Sequence, residues 1–237
     1  MKNKDKALII TGASRGIGHA IANFFLQQSY SVINISRTPH PNSSVTNILA
    51  DLSSLSSLEE LKDKISHISN NFNSICLIHN AWSYQSDQIQ NINMDHLKSS
   101  FTIGLVAPIR LNQILIPLMK ELSSIIYIGS TLSEKSVPHA ASYSCLKHGV
   151  VGLMRASCQD LLDNSKIHTA CVCPGFTKTQ MLLQHLKEND FLEEIKTRVS
   201  KKRLVEPDEI ASLCFHISQN PSLNGSVLHA NLGQKEY

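Results

Sequence analysis

The chain is poor in features that mark several whole classes of protein. It has one tryptophan in 237 residues, 5 % aromatic residues, 17 % charged residues and a formal net charge of +3. So small and dispersed a charge leaves no electrostatic footprint for nucleic acid. The densest basic run, Lys201-Lys202-Arg203, reads as a solvated loop or helix end. Eleven histidines and six cysteines form no HxH, HExxH or paired-cysteine ligand pattern, so no metal is expected. Cys76, Cys171 and Cys173 fall in apolar runs and read as small buried hydrophobes. A reduced, cytoplasmic protein is the expectation. No stretch reads as the roughly 20-residue apolar span of a membrane helix, so no membrane partner is expected. The charged MKNKDK start and the short ALII after it do not make a signal peptide.

Apolar residues make up 42 %, enough for a sizeable core, and one domain over residues 1–237 is expected. Short apolar runs recur at 7–11, 31–35, 46–49, 74–79, 125–130, 167–173 and 226–230. Amphipathic segments at 17–28, 55–71, 95–120, 142–163 and 207–218 alternate with most of them. In 55–71, Leu58, Leu61, Ile65 and Ile68 recur at helical steps, with Asp51, Ser53 or Ser54 available as a cap. Strands alternating with such helices predict an α/β fold: a doubly wound, Rossmann-type parallel sheet of seven strands with helices on both faces. Residues 176–203 break the rhythm and read as a lid over a substrate.

Gly12-Ala13-Ser14-Arg15-Gly16-Ile17-Gly18 follows the first apolar run and opens the first helix. There, a glycine turn lets backbone approach a pyrophosphate, and the helix N-terminus offers unpaired N–H groups. The second run ends Ser36-Arg37 where NAD-selective folds usually carry an acidic residue. Arg37 and Arg15, with no carboxylate between them, suit a ribose 2′-phosphate, so NADP(H) is the expected cofactor.

Ser130 ends the fifth run, Tyr143 follows, and Lys147 lies four residues further on. Positions i and i+4 share a helix face, so the Lys147 ammonium can lie near the Tyr143 phenol and lower its pKa. Tyr143 then reads as the proton donor to a carbonyl oxygen, with Ser130 holding that oxygen.

Together these motifs resemble the short-chain dehydrogenase/reductase family over nearly the whole length. The likeness rests on TGASRGIG at 11–18, Asp51-Leu52, Asn80-Ala81, Ser130, Tyr143, Lys147, Pro174-Gly175 with Thr179, and the run from Arg203 to Ala211. It implies that Asp51 and Leu52 contact adenine and that Asn80 and Ala81 flank the adenosine ribose. It also implies that Lys147 binds the nicotinamide ribose and that Pro174, Gly175, Thr177 and Thr179 line the nicotinamide. A homotetramer or dimer built on the helices around 95–120 and 142–163 is implied as well.

Three positions depart from the family pattern. His79-Asn80-Ala81-Trp82 stands where Asn-Asn-Ala-Gly is usual, Gly104 stands where a water-holding asparagine is common, and Asn231-Leu232-Gly233 replaces Asp-Gly-Gly. The expected function is NADPH-dependent interconversion of a carbonyl and a secondary alcohol. One alternative is a 3-oxoacyl-carrier-protein reductase, against which Glu121 counts, because an acidic carrier would meet a negative charge there. Another is a catalytically weak or inactive NADP(H)-binding sensor, motivated by Gly104 and Trp82.

Overall fold

Each apolar run becomes a strand: β1 (Lys6–Thr11), β2 (Ser31–Ser36), β3 (Val45–Leu49), β4 (Ser74–His79), β5 (Ser123–Ile128), β6 (Ile167–Pro174) and β7 (Ser226–Ala230). This computed structural model describes residues 5–69, 72–164, 166–189 and 192–234. All neighbours pair in parallel, in the order β3-β2-β1-β4-β5-β6-β7. Strands β4, β5 and β6 are buried at every position, as parallel strands covered on both faces must be. Chain order reverses between β1 and β4, which opens a crevice at their C-terminal ends.

Alternate residues of one strand feed two cores. Leu8 and Ile10 of β1 join Ile21 and Phe25 of α1 (Gly16–Gln27) and Ile210, Cys214 and Ile217 of α8 (Pro207–Ser218). Ala7 and Ile9 join the opposite core, with Leu58, Leu61 and Ile65 of α2 (Leu55–Ser69). The Ile68 side chain, on the same predicted stripe, lies outside the described residues. Also in that second core are Leu111 of α4 (Ala107–Leu115) and Met154 of α5 (Ala141–Asp160). Phe25 meets Tyr30 and Phe215 edge-on at centroid distances of 5.0 and 5.4 Å. Truncating it to alanine would cost about 3–5 kcal/mol.

Helix starts follow local chemistry. Ser54 accepts from the Ser57 N–H and begins α2, the role Asp51 and Ser53 were also candidates for. Pro207 sits in the first turn of α8, and Glu206 and Glu209 form a reciprocal capping box. Arg203, from the basic run, is paired bidentately with Glu209 at 2.7 and 2.8 Å. α3 (Met94–Phe101) continues through a π turn at Thr102–Val106 into α4 and a 3₁₀ turn at Ile116–Leu118. This continuous run corrects one expectation: by length and composition it is enough to cross a membrane. Here Gly104, Ala107, Leu111 and Leu115 are instead buried. The segment read as a lid folds into α6 (Gln180–Asn189) and α7 (Leu192–Thr197), with residues 190–191 outside the described ones.

Candidate active site

The crevice holds a cavity of about 950 Å³. At one end, Gly12 and Gly16 adopt φ of +72° and +61°, which side chains rarely tolerate. The turn is tied down from the neighbouring strand, because the Gly12 N–H donates to Ile35 O and the Ala13 N–H to Asn34 Oδ1, both at 3.0 Å. A Cβ on Gly18 would lie 2.4 Å from Gly12 O, so the helix start fits against the turn only without a side chain. No side chain caps α1. Its first N–H groups are therefore available to an anion. Arg15, Ser36 and Arg37 line the same end. The nearby Asp51 carboxyl is held below the usual range, chiefly by accepting from the Ser53 backbone N–H and hydroxyl. Leu52 lines the wall beside it.

Asn80 and Ala81 line the cavity's middle, where Asn80 is also a staple. Its side-chain amide donates to Thr11 O and Gly12 O at 3.0 Å, and the Asn80 and Ala81 N–H groups both donate to Thr11 Oγ1 at 3.0 Å. Strand β4 is thus locked to the glycine turn.

Ser130, in extended backbone just beyond β5, accepts from the Leu132 N–H at 3.1 Å and heads a short 3₁₀ turn. Its hydroxyl favours the ionised form of the Tyr143 phenol, against the effect of burial. Lys147 is 2 % exposed, and its ammonium donates to Ile128 O at 2.8 Å. That ammonium lies 5.6 Å from the Tyr143 ring centroid and 5.4 Å from the Trp82 ring centroid. Burial pushes Tyr143 up to about 12 and Lys147 down to about 8. The expected lowering of the tyrosine is therefore not found, because desolvation of the phenol dominates and the ammonium is bonded to Ile128 O. At neutral pH, Tyr143 carries its proton and Lys147 its charge.

Pro174, Gly175, Thr177 and Thr179 line the far wall. Thr177 donates to Gly175 O at 3.0 Å, and Thr179 Oγ1 accepts from the Leu182 N–H at the start of α6. Gln180, Met181, Leu182 and Gln184 of α6, with Arg198, line the outer end. Ile195, Leu204, Phe176, Leu182 and Leu183 form a small cluster apart from the two main cores.

The structure brings every predicted site residue to this one cavity, with Lys147 just behind its wall. Three contributors went unread in the sequence. Asn34 holds the glycine turn, though an isolated Asn in a strand gives no signal. Buried Asp87 accepts from the Ser142 N–H at 3.0 Å and from its hydroxyl, clamping the Trp82 loop to the N-terminus of α5. The third is Leu146. A Cβ on Gly104 would lie 2.7 Å from Leu146 Cδ1 and 3.2 Å from Cγ. The leucine side chain occupies the room an asparagine would need, so an asparagine there requires Leu146 to shift. Asn112, further along the helix, bonds His79 and Tyr127 instead.

A parallel sheet with its crevice at the strand-order reversal, a glycine turn and a Ser-Tyr-Lys group define a nucleotide-binding oxidoreductase. Residues 6–190 match the family described as "short chain dehydrogenase", and the chain belongs to that family. It is 27 % identical to carbonyl reductase family member 4 of Xenopus laevis over 230 residues, covering 94 % of this chain and 95 % of that one. It is 25 % identical to the 3-oxoacyl-[acyl-carrier-protein] reductase of Mus musculus over 232 residues, with the same coverage. A short-chain dehydrogenase/reductase structure from Brucella melitensis, titled glucose/ribitol dehydrogenase, superposes with a TM-score of 0.88 at 24 % identity, covering 100 % of this chain and 99 % of that one.

Proposed function

We propose that the chain is an NADPH-dependent reductase that converts a carbonyl to a secondary alcohol, with Tyr143 as proton donor. The observation that carries this reading is the convergence of Ser130, Tyr143 and Lys147 on one cavity with an uncapped helix N-terminus and two arginines at its other end. The glycine turn and its open N–H groups suit the pyrophosphate. Arg15 and Arg37 suit a 2′-phosphate, and the only acidic side chain lining the cavity among the described residues, Asp51, has its carboxylate engaged by Ser53. When bound, the cofactor supplies hydride.

The chain's own residues do the rest. Ser130 fixes the carbonyl oxygen by its hydroxyl. Tyr143, protonated at neutral pH, gives its proton to that oxygen as negative charge develops. The Lys147 ammonium, fixed by Ile128 O, keeps positive potential behind the phenol and favours the phenolate left after transfer. Helices α6 and α7, with their own small apolar cluster, act as the lid. Exposed Val106 and Ile109, and the open helix surface at Gly152 of α5, support a symmetric dimer or tetramer. Six free cysteines suit a reducing cytoplasm.

The test follows the absorbance of reduced nicotinamide with purified protein, NADPH and a panel of carbonyls. Tyr143→Phe is expected to lower kcat by roughly 10²–10⁴-fold while leaving NADPH affinity unchanged. Equal turnover by both proteins would remove Tyr143 from the mechanism.

A further inference from the structure

The substrate end of the cavity has one feature that the reductase reading leaves unused, an aromatic corner built around the catalytic tyrosine. Trp82, the chain's single tryptophan, sits with its ring centroid 5.1 Å from that of Tyr143 and 6.2 Å from that of Tyr84. Tyr84 in turn meets Tyr143 at 5.5 Å, edge-on at 85°. All three line the cavity, and Tyr84 is 41 % exposed. A carbonyl compound that reaches the Tyr143 hydroxyl therefore enters a cavity that the indole also lines.

The corner is held firmly. The loop that carries Trp82 and Tyr84 is clamped at Asp87 to Ser142, the residue before Tyr143. Beneath it, the Lys147 ammonium stands 5.4 Å from the indole centroid. That ammonium already occupies the cation-attracting faces of Trp82 and Tyr143, so a second cation would be repelled. At the outer end Arg198 is engaged by Glu194, and no acidic side chain lines the cavity there among the described residues. The corner thus suits a neutral group. Flat rings gain offset-stacked or edge-to-face contacts beyond the area they bury, and flexible chains do not.

We infer that the substrate is a ketone bearing a neutral flat ring next to the carbonyl, an aryl or benzo-fused cyclic ketone, and that Trp82 is its specificity-determining residue. This inference rests on the reductase reading for its chemistry, but ring binding has a readout of its own. The lone indole reports on its surroundings, so its fluorescence follows ring binding without turnover.

The experiment uses the full chain with NADPH and compares 1-tetralone with an acetoacetyl thioester by kcat/KM, in wild type, Trp82→Phe and Trp82→Ala. Separately, 1-tetralone is titrated against indole fluorescence in wild type saturated with NADP⁺. Wild type is expected to prefer the ring ketone. Trp82→Ala is expected to lower the ring-to-thioester ratio by about tenfold or more, mainly through KM, the equivalent of ~1.4 kcal/mol. Trp82→Phe is expected to keep most of the ratio, and the ketone to quench the indole saturably. The ratio is the readout because Trp82 also covers Lys147, so both activities fall together if that contact alone is lost. A preference for the thioester in wild type, or a ratio unmoved by Trp82→Ala, overturns ring selection and leaves the reductase reading intact. Saturable quenching without turnover of either carbonyl upholds ring selection and overturns the reductase reading. Neither quenching nor turnover overturns both.

Discussion

The two ends of the cavity are built on different terms. The phosphate end is made of backbone, with Gly12, Gly16 and Gly18 within seven residues and two arginines beside them. The substrate end is made of side chains that arrive from Trp82, Ser130, Tyr143, Met181 and Arg198, residues far apart in the chain. The family's usual pattern holds at the first end and breaks at the second. Where it breaks, the changes are paired in space. Gly104 makes room for Leu146, and Trp82 covers the Lys147 ammonium. A backbone-built site tolerates no substitution, whereas a side-chain site drifts as long as partners drift together.

The most disruptive change to the phosphate end acts through charge rather than space. Arg37→Asp replaces a guanidinium lining the cavity with a carboxylate facing any 2′-phosphate. A charge-assisted hydrogen bond contributes about 1.5–3 kcal/mol, so the NADPH-to-NADH affinity ratio should fall by roughly ten- to a few hundred-fold. Titration of each cofactor by fluorescence checks this. An unchanged ratio would place the 2′-phosphate elsewhere and leave the comparison resting on the glycine turn alone.

At the other end the pairing itself can be broken. Gly104→Asn forces side-chain atoms into a space where Leu146 is already within 2.7 Å of a Cβ, and both residues are buried. Overpacking of this kind costs about 1–3 kcal/mol. Leu146→Ala alone leaves a void costing about 2–5 kcal/mol. The double substitution should be more stable than the sum of the two by at least ~1 kcal/mol, read by urea denaturation as a double-mutant cycle. Strict additivity would mean that Gly104 and Leu146 do not share one space.

What could be read from the sequence follows the same division. The order of strands and helices and the glycine turn were legible, because each depends on short-range spacing and apolar runs. Ser130, Tyr143 and Lys147 were legible as a set, yet the state of Tyr143 was not. Its phenol is governed by desolvation, and Lys147 is bonded to Ile128, nineteen residues away in the chain. Asp87 and Leu146 stayed silent for a related reason. A carboxylate that clamps Ser142 over 55 residues, or a leucine whose methyls fill the room at Gly104, looks like any other Asp or Leu until the fold joins the pieces.

His79 and Asn80 condense the contrast into adjacent residues at the end of β4. Asn80 serves the glycine turn, whereas His79 points into the core, where its Nε2 bonds Asn112 Oδ1 at 2.9 Å. The amide of Asn112 donates to Tyr127 Oη at 2.7 Å, and Tyr127 pairs with Ser157 at 2.8 Å. Burial pushes His79 down to about 4, below its ordinary value of 6.5, because the imidazolium would be desolvated there. The unfolded chain therefore takes up the proton first as the pH falls. Stability that is fully present above pH 6.5 is lost progressively toward pH 4. By this linkage the wild type should lose roughly 2 kcal/mol between pH 7 and pH 5 from His79 alone. His40 and His168 are also lowered by burial and add their own losses, so the comparison must be made against His79→Asn. Urea denaturation at the two pH values should show a smaller acid loss in the variant by about that amount, whatever its stability at pH 7. Equal losses would mean that the His79 ring reaches water, and that the core side of β4 is no drier than the cofactor side.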